Sequence, residues 1–290
     1  TTAYGLETNT DGTQKLNSDD GPRDAALYGL ALPQLFAEFY LPIGEGTTFK
    51  FGHFYTILGN ECVQAPYNFF YSHSYTKQYG EPFTHTGFLG SQQLPGGFQL
   101  QAGMTRGWNT WEDLNNDLGF LGGINWTSRD QRTTAAYAVH LGPEGPEPPR
   151  QGGDRLVYSF VFARDLSDAI TYVFQHDRGF EDDVQVTPNT VVDGDWYSIV
   201  QYLRVDLNNM VSAGMRVEWF RDEDGTRVEG NQLVGDYFEC TWGLNVTPVN
   251  GLVIRPELRW DWTNTHNASP YDDLSDTNQL LLSTDVILRY

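Results

Sequence analysis

Residues 252–263 read L-V-I-R-P-E-L-R-W-D-W-T. Side chains of an extended strand alternate faces, so Leu252, Ile254, Pro256, Leu258, Trp260 and Trp262 share one side, while Arg255, Glu257, Arg259 and Asp261 share the other. One face is apolar and the other ionic. A helix is excluded, because the apolar residues recur at every second position and not at three and four. A soluble sandwich would bury the apolar face on a second sheet and show small polar residues outside. Successive ionic residues on one face instead suit a wall with lipid on one side and water on the other.

The same period runs through most of the chain. It starts at 33–41, where Leu35, Ala37, Phe39 and Leu41 oppose Gln34, Phe36, Glu38 and Tyr40, and returns over 47–55. Further alternating segments lie at 86–94, 98–108, 118–127, 133–141, 155–163, 169–177, 196–207, 211–221, 237–247, 252–263 and 279–290. Short turns and long loops join them in strict succession, as in a barrel with turns at one rim and loops at the other. The expected fold class is therefore all-β: a transmembrane antiparallel up-and-down β-barrel of about 13 strands in this chain and about 16 in the full protein. Bacterial single-chain barrels use an even number, so N-terminal strands are expected to be missing, or a further strand to lie near 25–32. One domain is expected over 1–290, with 1–31 a polar loop and 178–194 a long acidic one.

Outward sets include Leu156, Tyr158, Phe160 and Phe162, then Val211, Ala213, Met215, Val217 and Trp219, then Phe238, Cys240, Trp242, Leu244 and Val246. With the long loops outside, Trp108, Trp219, Trp260 and Trp262 are expected in an outer aromatic girdle and Phe98, Trp126 and Tyr290 in an inner one. Pro256 cannot donate to a ladder, so a bulge is expected there.

Composition narrows the function. The chain has 290 residues and a net charge of -20, with a pI of about 4.4. Nucleic-acid binding is excluded, since phosphate contacts need clustered Lys and Arg. Mean hydropathy is -0.46, and no apolar run is long enough for a transmembrane helix; a barrel strand escapes that measure by hiding only alternate residues in lipid. The first residues have neither the basic start nor the apolar core of a signal peptide, so an exported chain would be processed or truncated. Cys62 and Cys240 are too few for a disulfide scaffold and are expected as free thiols. His53, His73, His85, His140, His176 and His266 form no metal-ligand spacing, and no phosphate loop, C-x-x-C or nucleophile elbow occurs. No catalytic residue, metal or cofactor is expected.

Residues 59–84 form a long connection containing A-P-Y-N-F-F-Y-S-H-S-Y-T-K-Q-Y-G-E-P-F-T-H-T-G. Loops of this length without elements of their own are usually functional. The preferred reading folds it into the barrel mouth as a constriction carrying Glu61, Tyr67, Phe69, Phe70, Tyr71, His73, Tyr75 and Glu81; the alternative lays it over the outer rim or at a subunit contact.

F-K-F-G-H-F-Y-T-I-L-G-N-E, N-F-F-Y-S-H-S-Y, G-E-P-F-T-H-T-G and R-P-E-L-R-W-D-W together resemble the OmpL-like β-barrel porins of planctomycetes and other bacteria. The resemblance runs from about residue 32 to the end and implies a bacterial outer-membrane porin. By the more distant analogy with general porins it also implies a loop folded into the lumen and a homotrimer, and a terminal aromatic matches Tyr290.

Inward charges expected to line the pore are Glu38, Lys50, Arg204, Asp206, Arg216, Glu218, Glu239, Arg255, Glu257, Arg259, Asp261, Asp285 and Arg289. Opposed charges across a narrow waist would sort solutes by dipole and charge. Arg216, Arg255 and Arg259 are expected to face the loop acids Glu61 or Glu81; the alternative is that Arg216 and Arg255 pair with neighbouring Glu218, Glu239 and Glu257. The acidic external loops either favour cations within about a Debye length of ~8 Å or form a solvated rim binding divalent ions with lipopolysaccharide. The expected function is passive diffusion of small hydrophilic solutes or ions across the outer membrane. The alternatives are a loop-plugged structural or partner-binding barrel, and a soluble carbohydrate-binding β-sandwich.

Overall fold

The computed structural model describes residues 7–8, 14–15, 32–111, 116–144, 153–187, 190–228, 233–265, 269–272 and 275–289. The strand expected near 25–32 falls almost wholly outside these residues, as do Tyr290 and most of the 1–31 loop. Two short strands, β1 (Glu7–Thr8) and β2 (Gln14–Lys15), pair with each other.

The other strands form one antiparallel sheet of 13, each hydrogen-bonded to its neighbours in sequence. They are β3 (Leu35–Leu41), β4 (Thr47–Tyr55), β5 (Thr84–Leu94), β6 (Phe98–Thr105), β7 (Gly119–Thr127), β8 (Thr133–Pro143) and β9 (Asp154–Asp165). After these come β10 (Ile170–Thr187), β11 (Thr190–Asn208), β12 (Val211–Asp222), β13 (Gly235–Val249), β14 (Leu252–Thr263) and β15 (Asn278–Leu288). This is the up-and-down order of a barrel wall. Among the described residues β3 and β15 are edges, and all 13 strands run in one continuous sheet instead of dividing between two facing ones, which removes the sandwich reading.

Registers carry the two-faced pattern from strand to strand. Glu239 lies opposite Asp261, Thr241 opposite Arg259, Arg216 opposite Thr241 and Glu218 opposite Glu239, so the ionic residues of β12, β13 and β14 gather on one side. Burial then runs opposite to that of a soluble protein. Asp261 is 0% exposed and Arg255 2%, whereas Leu258 is 38% and Trp260 42% exposed on the other face. Bare apolar side chains outside and covered charges inside are stable only where the outer medium is hydrocarbon.

Three expectations are corrected. Residues 178–187 and 190–194 are strand, not loop: Val184 pairs with Val192 and Gln185 with Val191, extending the β10–β11 hairpin, with a bulge between Glu181 and Val184. The β-branched residues there support strand despite the acids around them, and Asp183 takes the left-handed conformation at φ 55° within the bulge. Pro256 pairs in register with Thr284 of β15, and the bulge lies instead in β13, between Val246 and Val249. Trp108 follows the end of β6, so strand parity no longer governs it. It turns inward, 9% exposed, edge-on to Trp196 at 6.3 Å, with the Arg155 and Arg227 guanidinium carbons 4.8 and 5.0 Å from its ring centroid.

An arginine on the bare face should be costly. Leu258→Arg is expected to lower unfolding stability in lipid vesicles by about 2–4 kcal/mol, read from urea titration; a change within about 0.5 kcal/mol, usual for a water-exposed site, would place that face in water.

Candidate functional site

The connection between β4 and β5 lies against the inner face of the sheet and holds a 3-10 turn, Ala65–Tyr67, and a π-helical turn, Thr76–Gly80. A segment there has almost no ladder of its own, so its backbone polar groups need partners on the wall. Carboxylates take the N–H groups. Glu257 accepts from Tyr71 and Ser72 at 2.8 and 3.2 Å, and Glu218 accepts from Tyr75 and Thr76 at 2.6 Å each.

Arginines take the carbonyls. Arg255 Nη1 donates to the carbonyls of Ala65, Asn68 and Phe70 at 3.0, 2.5 and 3.3 Å, and Arg259 donates to that of His73 at 2.5 Å. Arg289 donates to Pro66 at 2.8 Å, Arg227 to Tyr79 at 2.9 Å, and the Trp196 indole to Gly80 at 3.1 Å.

Arg216, fully buried, is the centre of the arrangement. Its Nη1 donates to Glu61 Oε1 at 2.7 Å and to the Ser72 carbonyl at 2.8 Å, while its Nε and Nη2 form a fork on Glu239. Glu61 also accepts from the Ser74 N–H and the Tyr202 hydroxyl, each at 3.1 Å, and meets His73 Nδ1 at 2.8 Å. Burial pushes the Glu61 carboxyl up, but Arg216 and His73 outweigh it and hold the group well below the usual carboxylate range.

Shape matches charge. Gly214 and Gly243 face each other across the β12–β13 ladder; a Cβ at Gly214 would overlap the Phe69 ring and one at Gly243 would lie 3.1 Å from Phe70. The two rings, 5.0 Å apart and edge-on, fill the dent that the missing side chains leave.

The remaining expected site residues divide. Glu81 does not face the arginines: it pairs with Lys77 at 3.0 Å and accepts from Gln175. Arg255 takes Asp285 as its carboxylate partner, not Glu257, and Arg259 takes Glu239 and Asp261. Arg216, Glu218, Glu239, Arg255, Glu257 and Asp261, expected at the water's edge, are at most 3% exposed because the loop lies over them. Tyr75 joins Tyr271 hydroxyl to hydroxyl at 2.6 Å. Tyr67 and Tyr71 stay 69% and 47% exposed. Glu38 and Lys50 form a 3.7 Å pair apart from the loop.

Sequence reasoning missed Tyr202, Gln175, Trp196, Arg227 and Tyr271. Tyr202, Gln175 and Trp196 share strand parity with inward residues, so parity pointed to them once uncharged side chains are counted. Arg227 and Tyr271 sit in loops, where no period applies. Both cysteines are free, and among the described residues no group of three or more His, Cys, Asp or Glu could hold a metal ion.

The family model described as "Putative beta-barrel porin-2, OmpL-like" matches residues 3–290. The chain belongs to this family. Among solved structures, the outer membrane channel DcaP of Acinetobacter baumannii superposes with a TM-score of 0.60 at 12% identity, over 86% of this chain and 83% of that one. A porin refined at 1.8 Å gives 0.52 at 12% identity, over 83% and 80%. Compared by sequence with curated proteins, the chain matches none. The porin is thus an outer-membrane β-barrel channel, and family and fold point to a channel rather than an enzyme.

Removing the central guanidinium strips the buried Glu61 and Glu239 of their shared partner, so Arg216→Met is expected to cost about 3–5 kcal/mol in unfolding experiments. Because the folded-state pKa of Glu61 is depressed, its contribution is fully present above the unfolded value of about 4.5 and is lost as pH falls through the folded value. The stability gap between wild type and Glu61→Gln should accordingly be flat from pH 7 to about 5 and shrink below that; a gap growing with acid would contradict the pairing.

Proposed function

We propose that this porin passes small hydrophilic solutes or ions by passive diffusion, through the part of its lumen that the loop over 59–84 leaves free. The observation that carries the reading is the loop's attachment: wall arginines and carboxylates hold its backbone to the inner face of β10–β15, making it a fixed constriction within a single barrel domain. With most wall charge covered, selectivity falls to inward groups that remain accessible, among them Glu38, Lys50, Arg204, Asp206 and the half-buried amides Gln99, Gln101 and Asn125. The acidic external loops add a weak preference for cations, strongest at low salt. In this reading the bare apolar face meets outer-membrane lipid, the acidic rim meets lipopolysaccharide through divalent ions, and the working assembly is a homotrimer.

One observation favours a second reading. A continuous apolar cluster runs from Phe54 of β4 through Leu58 and Tyr75 of the loop to Tyr237 of β13, which is the packing a plug needs. Planar bilayers separate the two. A constriction predicts current steps from the wild type that grow when residues 68–81 are deleted; a plug predicts none until the deletion is made. Silence from both proteins would contradict diffusion and plug alike.

A further inference from the structure

Among the described residues, the arginines that point inward from the strands or just beyond them are nearly all occupied. Arg216, Arg255, Arg259 and Arg289 hold the loop, and Arg155 pairs with Glu181. Arg204 of β11 is different. Among the described residues its guanidinium makes no hydrogen bond or ion pair, and its Nε is buried without a partner. Its environment makes this more than a solvated side chain. The neighbouring acids are already engaged: Asp206 accepts from Ser212 at 2.6 Å and Asp165 from Thr171 at 2.7 Å, while Glu61, whose charge reaches Arg204, is paired with Arg216 at 2.7 Å. The guanidinium carbon lies 5.7 Å from the centroid of the Phe69 ring, an apolar flank that reduces hydration of the charge.

Arg204 also sits where the loop's footprint ends. One step up the same face, Tyr202 is 1% exposed and Val173 3%; one step toward the short turns, Asp206 is exposed. A half-desolvated fork of donors at the margin of a covered surface is suited to a planar or tetrahedral oxyanion, which guanidinium binds in bidentate fashion.

We propose that Arg204, flanked by the Phe69 ring, is an oxyanion subsite on the turn side of the constriction, taking the carboxylate of a small organic acid or an inorganic phosphate. As a subsite of the passage it rests on the diffusion reading above; as a binding site it does not. It gives an acidic protein one internal station where an anion replaces a missing protein carboxylate, while the neutral amides of β6 and β7 admit uncharged solutes without preference.

Cys62 supplies a reporter. Its thiol is exposed, lies within electrostatic reach of Arg204, and is held in place by the exchange of hydrogen bonds between its backbone and the Asn68 side chain at 2.7 and 2.8 Å. Alkylation by iodoacetamide is followed in the detergent-solubilised full chain with sodium acetate or sodium phosphate replacing chloride at constant ionic strength, and mass spectrometry separates Cys62 from Cys240. An oxyanion held on Arg204 adds a negative charge beside the thiol and screens its approach, so wild-type labelling should slow by roughly threefold or more. Protection by acetate alone marks a carboxylate site, by phosphate alone a phosphate site, and by both a general oxyanion site. Arg204→Gln should abolish the effect and Arg204→Lys, which keeps the charge but not the fork, should retain part of it. Equal labelling in all anions, or equal protection in Arg204→Gln, overturns the proposal.

Liposome swelling with an uncharged sugar tests the other reading separately. Cys62 protection without sugar uptake refutes diffusion and leaves the subsite standing; uptake without protection does the reverse.

Discussion

The structure depends on one exchange: ionic side chains of the inner wall serve as hydrogen-bond partners for the backbone of a segment that lies against them. A loop in that position loses water and gains no ladder, and unpaired N–H and C=O groups there would each cost a kilocalorie or more. Glu218 and Glu257 accept from consecutive N–H groups, while Arg255 and Arg259 donate to carbonyls. The opposite need is met too, since charges left bare under a lid would be costly and here are paired or hydrogen-bonded. Neither partner is stable in this arrangement alone. Arg216 joins both roles, holding Glu61 and the Ser72 carbonyl on the loop side and Glu239 on the wall side.

This exchange explains why the wall carries glycines beside its charges. Charged side chains reach across to the loop, but the loop's aromatic rings must come down onto the sheet. Gly214 and Gly243 make that approach possible by leaving no Cβ in the space that Phe69 and Phe70 occupy. Attachment is thus electrostatic at the backbone and steric at the side chains, and a solute meets a lumen whose strongest charges are already spoken for.

Much of this was legible in the sequence, for one reason. A period of two survives any rearrangement that keeps the strands, so residues such as Arg255 to Asp261 could be assigned to the inner face, and the long aromatic connection stood out by length and content. Parity says which face a side chain takes; it does not say what covers that face. The pairing of Glu81 with Lys77 rather than with a wall arginine, the choice of Asp285 by Arg255, and the inward turn of Trp108 all depend on the path of loops in three dimensions, where no short-range pattern applies. The β10–β11 extension was hidden by its acids, which read as loop although Val184, Val191 and Val192 favour strand. Gln175 and Tyr202 were passed over because a search for charge does not see amides and hydroxyls.

Amide hydrogen exchange on the bilayer-embedded wild-type protein tests the exchange of partners most directly, because it needs no substitution. If wall carboxylates hold the loop, the N–H groups of Tyr71, Ser72, Tyr75 and Thr76 exchange as slowly as strand amides of β12 and β13. Exchange of those four at the rate of an exposed loop would contradict the account.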